Sequence, residues 1–355
     1  MKPKPSDLVY IVVLNWNGWA DTLECLESLF RLEYPCFRIV VCDNGSGDGS
    51  LEHVRAWADG RLSLLRGGTA ALRNLTWPPV AKPVRYRELL IDDVKTADLV
   101  PGALPLTLIS NKDNLGFAGG NNVGIRYALT DCDTRYIWLL NNDTVADPAA
   151  LSRLVARMDE KPEAGICGST LVFYDRPDAI QALGGATYNH VLGSNRHLGL
   201  HQHVDQPIDQ AFIERRMDYV IGASMLIRRE LLETIGVMDE RYFLYFEELD
   251  WATRAKKRFD LAFAAGSIVY HKEGASAGTS SRPKSKSLLS DYYSLRNRLV
   301  FTKKFYPWAL PIVFLGLCMA FLNRIRRGQP DHAKMIARLL LMGANAAPPS
   351  SQRAA

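Results

Sequence analysis

The 355-residue chain contains no CxxC pair, and its six cysteines (Cys25, Cys36, Cys42, Cys132, Cys167, Cys318) lie far apart. That spacing argues against a disulfide framework. In a chain this long the cysteines read as reduced thiols, several of them packing as small hydrophobes within apolar runs. The sequence also lacks GxGxxG: the glycines after the second apolar run (Gly45, Gly47, Gly49) are spaced GxGxG, which disfavours a nicotinamide-dinucleotide enzyme. No Lys or Arg stands in "NWNGWADTL" after the first apolar run, where a nucleotidyltransferase normally carries a basic, Gly-rich loop. The N-terminal apolar run is too short for the core of a signal peptide, and no small-residue cleavage site follows, so chemistry in the cytoplasm is expected. There is no internal repeat.

What the chain does have is an ordinary apolar fraction, 47%, and an uneven charge. Residues 282–342 carry twelve Lys and Arg against two Asp, a net +10 in a chain whose total is +5, so the remainder sums to −5. A slightly acidic body with a strongly basic tail suggests that the tail meets an anionic membrane surface, and no nucleic-acid partner is expected.

The first half alternates in type. "LVYIVVL" and "FRIVVCD" are continuous apolar runs of the kind that form buried parallel strands, and "WADTLECLESLFRL" between them has helical spacing. "GDGSLEHVRAWA" reads as a helix capped by Asp48 or Ser50, "LPLTLIS" as a strand, "GGNNVGIRYAL" as a helix and "TRYIWLLN" as a strand. This alternation predicts an α/β fold with a mostly parallel sheet and ligands at the carboxyl ends of the strands. A Pro-rich stretch, about 66–103, has no clear period and reads as a long insertion before the third strand. From Arg157 to about Gln210 the mixed pattern predicts antiparallel hairpins and loops.

Four segments carry groups suited to chemistry. Asp43 ends a buried strand and precedes three glycines, which permit close approach of a ligand; an Asx turn capping the next helix is the plainer, less favoured reading. Asn141, Asn142 and Asp143 follow another buried strand, a setting for a hard divalent cation holding a diphosphate, or for a simple turn. "NKDNLGFAGGNNVGI" opens a helix whose free N–H groups suit phosphate, or whose glycines allow tight packing. Glu247, Glu248 and Asp250 sit among aromatic residues, where desolvation raises the basicity of a carboxylate; a helix N-terminus favours acids as well. His271 follows a strand and serves as a metal ligand, a phosphate partner or a surface histidine.

Taken in order, "VYIVVLNWNG", "VVCDNGSGDGS", "NLGFAGGNNVGI", "YIWLLNNDT", "GASMLIRRELLETIGVMDERYFLYFEELDWATR" and "VYHKEGAS" resemble glycosyltransferase family 2, in its rhamnosyltransferase-like branch, over about Val9 to Pro307. The resemblance implies a GT-A fold and an inverting, metal-dependent transfer of a hexose, rhamnose for instance, from a nucleotide-diphosphate sugar. By position, Asp43 matches the acid that reads the donor's pyrimidine, and Leu14 and Asn15 border the nucleotide. Asn44, Gly119, Asn121 and Asn142 join the donor-binding set. Asp143 is the best ligand at the DXD position, where Asn141 replaces the first acid, and His271 matches a residue near the diphosphate. Glu248 matches the catalytic base, with Asp250 as the other acid of the catalytic cluster.

The implied cofactor is Mg²⁺ or Mn²⁺. The implied acceptor is a hydroxyl of a glycan or polyprenyl-linked sugar in surface-polysaccharide assembly. A non-catalytic nucleotide-sugar or glycan-binding module is the alternative, disfavoured because Asp143 and the three acids at 247, 248 and 250 are all present.

The expected organisation is a GT-A domain over 1–281, with a nucleotide-binding part at about 8–147 and an acceptor-binding part at about 148–281, followed by a basic helical region over 282–355. Within the latter, "WALPIVFLGLCMAFL" (Trp308–Leu322) falls short of the ~20 residues needed to cross a bilayer. Flanked by Lys303, Lys304, Arg324, Arg326 and Arg327, it reads as a monotopic helix at the cytoplasmic leaflet, or as a buried core helix with solvated ends.

Overall fold

The computed structural model of the protein describes residues 7–63, 70–94, 104–272 and 287–349. The two leading apolar runs form β1 (Leu8–Asn15) and β2 (Phe37–Asp43), and all of β1 except Leu14 is buried. Alternate residues of β1 serve opposite faces. Val9, Ile11 and Val13 pack with the helices Trp19–Leu29, Ser50–Ala58 and Ala150–Glu160, while Tyr10 and Val12 pack with the helix Gly116–Leu129. A strand covered on both faces has no polar side, which is why these runs are continuous rather than alternating.

Downstream come β3 (Tyr86–Leu90), β4 (Leu106–Ser110), β5 (Thr134–Asn141), β6 (Thr144–Ala146), β7 (Ala164–Phe173) and β8 (Arg176–Leu183). They are followed by β9 (Gly185–Asn189), β10 (Ser194–His197), β11 (Tyr219–Val220), β12 (Ser224–Arg228) and β13 (Asp260–His271). The main sheet has ten strands in the order β3-β4-β2-β1-β5-β12-β7-β13-β6, with β8 paired to β7; β10-β9-β11 make a small antiparallel sheet. Strands β3, β4, β2, β1 and β5 are parallel; β12 runs against both β5 and β7, β13 parallels β7, and β6 runs against β13.

The helix Gly116–Leu129 approaches β1 closely because two glycines one turn apart face it. A Cβ at Gly120 would stand 2.4 Å from Leu14 Cδ1, and one at Gly124 would stand 2.4 Å from Val12 Cγ1.

The Pro-rich stretch is less irregular than its sequence suggests. Among its described residues, 70–94, lie the short helix Arg73–Thr76 and β3, which adds a parallel edge strand beside β4. Periodicity missed β3 because an edge strand needs little burial: none of its residues is fully buried, and Glu88 reaches across to Arg55. In the mixed region after Arg157, the hairpins are present, but β7 is a wholly buried central strand.

The expected boundary at 281/282 lies outside the described residues. Beyond it, the helices Leu288–Phe305, Leu310–Arg326 and Pro330–Met342 enclose a core of their own built on Tyr292, Leu295, Val313, Leu317, Ile336 and Leu339. The first of them also inserts Phe301 into the core of the main body.

Candidate active site

The parallel strands end together, and the groups singled out in the sequence collect at that edge. Asn15, Asp43 and Asn141 are the last residues of β1, β2 and β5. Asp43 is buried, accepting from Asn15 Nδ2 at 2.7 Å and from the Ser46 N–H at 3.1 Å. Asn15 Oδ1 in turn accepts from Thr22 Oγ1 at 2.8 Å. Asn142 Nδ2 donates to Thr22 Oγ1 at 3.1 Å and to Asn15 Oδ1 and the Gly18 carbonyl at 3.3 Å. A chain of buried hydrogen bonds therefore joins three strand ends and fixes the Asp43 carboxylate. Asn142 lies inside this chain, its amide nitrogen occupied.

Three other members of the donor-binding set hold backbone together. Asn44 Nδ2 donates to Asn114 Oδ1 and the Gly116 carbonyl, while its Oδ1 accepts from Asn111 Nδ2 and the Leu115 N–H, so it pins the loop 111–116 to the end of β2. Asn121 donates to the Phe117 carbonyl one turn back. Gly119 sits in that same helix, where a Cβ would crowd Leu115 at 2.8 Å. Of the two readings of this Gly-rich turn, close packing is the one with visible contacts.

Asp143 and His271 come together because of strand pairing. Asp143 precedes β6 and His271 ends β13, and in the antiparallel register His271 faces Thr144. Asp143 Oδ1 stands 3.2 Å from His271 Nε2, and Asn141 Nδ2 lies 3.5 Å from the same nitrogen. On the far side of the ring, His271 Nδ1 donates to Gln181 Oε1 at 2.9 Å. That bond fixes the ring and turns Nε2 toward Asp143, the way a second partner orients metal-binding imidazoles.

A carboxylate oxygen and an imidazole nitrogen at this separation fit one divalent ion: ligands at right angles on a sphere of about 2.1 Å radius stand ~3 Å apart. Gln181, on β8, was missed by sequence reasoning because nothing local marks it. The adjoining Lys272 binds Asp21 and Glu24, fastening the end of β13 to the first helix.

The acids at 247, 248 and 250 open the helix Glu247–Ala255 and diverge. Glu247 turns inward; its Oε2 is buried with no hydrogen-bond partner among the described residues, and burial followed by the neighbouring Glu248 charge pushes its carboxyl well above the usual range. Glu248 is half-buried beside Gly222 and Phe117, and desolvation raises its carboxyl too. Gly222 leaves the carboxylate its place, since a Cβ would lie 2.9 Å from Glu248 Oε1 and displace it. Asp250 is fully buried: it accepts from Tyr242 Oη at 2.9 Å and Arg254 Nε at 2.7 Å, and pairs with Lys304. Asp250, expected as the other acid of the catalytic cluster, is taken up by these partners.

The approach to this helix is strained. Phe243, Tyr245 and Phe246 have φ of +58°, +68° and +76°, a region that costs a non-glycine residue about 1–3 kcal/mol. The loop is wedged against Gly116, where a Cβ would come within 2.4 Å of the Phe243 carbonyl oxygen. It thus joins the carboxylates to the Gly-rich turn beside Asn44.

Comparison with known proteins agrees with this architecture. The description "Glycosyl transferase family 2" matches residues 10–74 and 82–236. The low-salt glycan biosynthesis hexosyltransferase Agl10 of Haloferax volcanii is 26% identical over 149 residues, 42% of this chain and 46% of that protein. The match therefore spans about half of that relative. The mannosyltransferase PcManGT of Pyrobaculum calidifontis, solved with GDP-Man and Mn²⁺, has a TM-score of 0.50 at 15% identity, covering 96% of this chain and 87% of that one. GalNAc-T7, solved with UDP, GalNAc and Mn²⁺, has a TM-score of 0.50 at 12% identity over 74% of this chain and 43% of its own. With a family match over more than half its length and the GT-A fold beneath it, the chain belongs to glycosyl transferase family 2.

Proposed function

We propose that the protein is an inverting hexosyltransferase that moves a sugar from a nucleoside-diphosphate donor to a hydroxyl of a glycan or polyprenyl-linked acceptor. The observation that carries the reading is the meeting of the Asp43 network with the Asp143–His271 pair at one sheet edge. Asp43, with Asn15 and Leu14, binds the base and ribose end of the donor. Asp143 and His271 would hold Mg²⁺ or Mn²⁺, which when bound neutralises charge on the departing diphosphate.

Glu248 accepts the proton of the acceptor hydroxyl as that oxygen bonds to the anomeric carbon and the bond to the diphosphate breaks. Its raised carboxyl makes it a stronger base than an exposed glutamate. Asp250 positions the helix that bears it. The place of action is the inner face of a cell membrane, and the process is assembly of a surface polysaccharide or lipid-linked glycan.

The test is a donor-hydrolysis screen across dTDP-rhamnose, UDP-sugars and GDP-mannose, with and without Mn²⁺. One donor turned over in a metal-dependent way is the expected result. Hydrolysis of none, with no transfer to any lipid-linked acceptor, would overturn it.

A further inference from the structure

The helix Leu310–Arg326 presents two faces. Val313 and Leu317 are buried against Tyr292, Leu295 and Leu299. On the other side Ile312, Leu315, Met319 and Leu322 continue a line begun by Trp308 in the 3-10 turn Pro307–Ala309, at intervals of three and four; the exposures from Trp308 onward are 61%, 40%, 62%, 65% and 62%. Arg326 continues the line at its end, so an aromatic ring and a guanidinium terminate an apolar stripe.

We infer that this outward stripe docks on an anionic lipid bilayer, with the helix lying parallel to the membrane plane. The inference rests on the peripheral placement proposed for the enzyme and supplies the surface that makes it. Trp and Arg at the ends of an apolar face match the headgroup level, where a ring and a cation both keep a polar end in water. The exposed Arg327 and Lys303 add positive charge at the two ends, complementary to anionic headgroups.

The inward face rules against crossing. Arg324, expected from sequence as a flanking membrane cation, instead points inward and pairs with buried Asp291 at 2.8 Å, which His332 also approaches. A transmembrane placement would drag this ion pair and its two partner helices into hydrocarbon, where charges are expensive. A second copy of the chain is a poor occupant. Both ends of the stripe carry cations, Lys303 at one and Arg326 and Arg327 at the other, so pairing two copies along it sets like charges together, whereas anionic headgroups complement them.

The experiment is flotation of the full chain with vesicles of phosphatidylcholine alone and of phosphatidylcholine mixed with phosphatidylglycerol. Binding to the mixed vesicles alone is expected. It should be lost, roughly tenfold or more, in Leu315→Ser/Met319→Gln/Leu322→Ser, and the anionic preference should be lost in Arg326→Gln/Arg327→Gln. Circular dichroism and donor hydrolysis in solution, measured on the same variants, should be unchanged. That separates failure of this inference from failure of the transfer reading. Flotation with neither vesicle, flotation indifferent to the stripe variant, resistance to alkaline extraction, or a dimer in lipid-free solution that the stripe variant dissociates would each overturn it.

Discussion

Asn297 donates its side-chain amide to the carbonyl of Tyr245 at 3.0 Å, and the same nitrogen lies 2.6 Å from the Tyr242 carbonyl and 2.8 Å from that of Leu244. One buried amide on the helix Leu288–Phe305 thus shares its two hydrogens among three carbonyls of the strained loop that leads to Glu247 and Glu248. The strain persists because groups outside the loop hold it: Asn297 is one, and the Phe117 N–H, which donates to the Phe243 carbonyl at 2.6 Å, is another.

Asn297→Ala should therefore leave buried carbonyls unsatisfied, about 1–3 kcal/mol each where water cannot enter. Asn297→Asp should be as damaging, since a carboxylate has no hydrogen to give and faces three oxygens. We expect a lower Tm in both variants and a fall in kcat larger than the rise in KM for donor, because the loop positions the acids and not the nucleotide. A melting scan with steady-state kinetics checks this; an Asn297→Asp enzyme that behaves as wild type would refute the clamp.

At the paired Asp143 and His271, Asp143→Ala should lower donor turnover by two or more orders of magnitude, roughly 3 kcal/mol of barrier. Gln181→Leu removes only the partner of His271 Nδ1. It should weaken Mn²⁺ binding by ~10–100-fold while saturating Mn²⁺ restores most turnover. Titration of Mn²⁺ by calorimetry, alongside its dependence in the hydrolysis assay, measures both. Unchanged Mn²⁺ affinity in Gln181→Leu would separate that residue from the metal.

How far the sequence reached follows from what each residue depends on. Asp43 and Asn15 were legible because strand ends announce themselves: an apolar run stops and glycines begin. Asp143 was legible in the same way, but its pairing with His271 depends on the β6–β13 register, which no local pattern encodes. Gln181 and Asn297 act across 90 and 52 residues of chain respectively and carry no motif of their own. β3 was missed because half-buried edge strands need no strong period. The insulated position of Asn142 was invisible because its partners Thr22 and Gly18 belong to another helix entrance.

Glu247 gives a test through pH. Its folded carboxyl binds protons more tightly than in the unfolded chain, so the native state retains a proton over a window that opens at the ordinary value, 4.5, and extends upward. In that window the native state holds more protons than the unfolded one, and stability falls as pH rises, by about 1.4 kcal/mol for every tenfold difference in proton affinity. Glu247→Gln, neutral at all pH, should flatten this slope. We expect its Tm to exceed that of wild type at pH 8, with the gap closing toward pH 4. Parallel Tm profiles for the two proteins would show that Glu247 ionises in the native state without penalty.

The choice of base among the three acids can be settled by geometry and then by rate. Asp250 is sealed between Tyr242, Arg254 and Lys304, so its oxygens are turned away from any acceptor. Glu247 is buried, with no route for a hydroxyl to reach it. Glu248 alone of the three keeps some exposure, beside Gly222, and is desolvated enough to be basic. Glu248→Gln should keep donor affinity by calorimetry yet lose transfer by ~10²–10⁴-fold, the usual worth of a positioned base. Wild-type kcat should fall on the acid side with a midpoint above 4.5, because a protonated Glu248 accepts nothing. Asp250→Asn should act differently, lowering Tm by stranding two cations while its residual transfer follows the folded fraction. A Glu248→Gln enzyme that transfers normally, beside an Asp250→Asn enzyme that is folded and inactive, would move the base to Asp250; normal transfer by both would take the acidic cluster out of the chemistry.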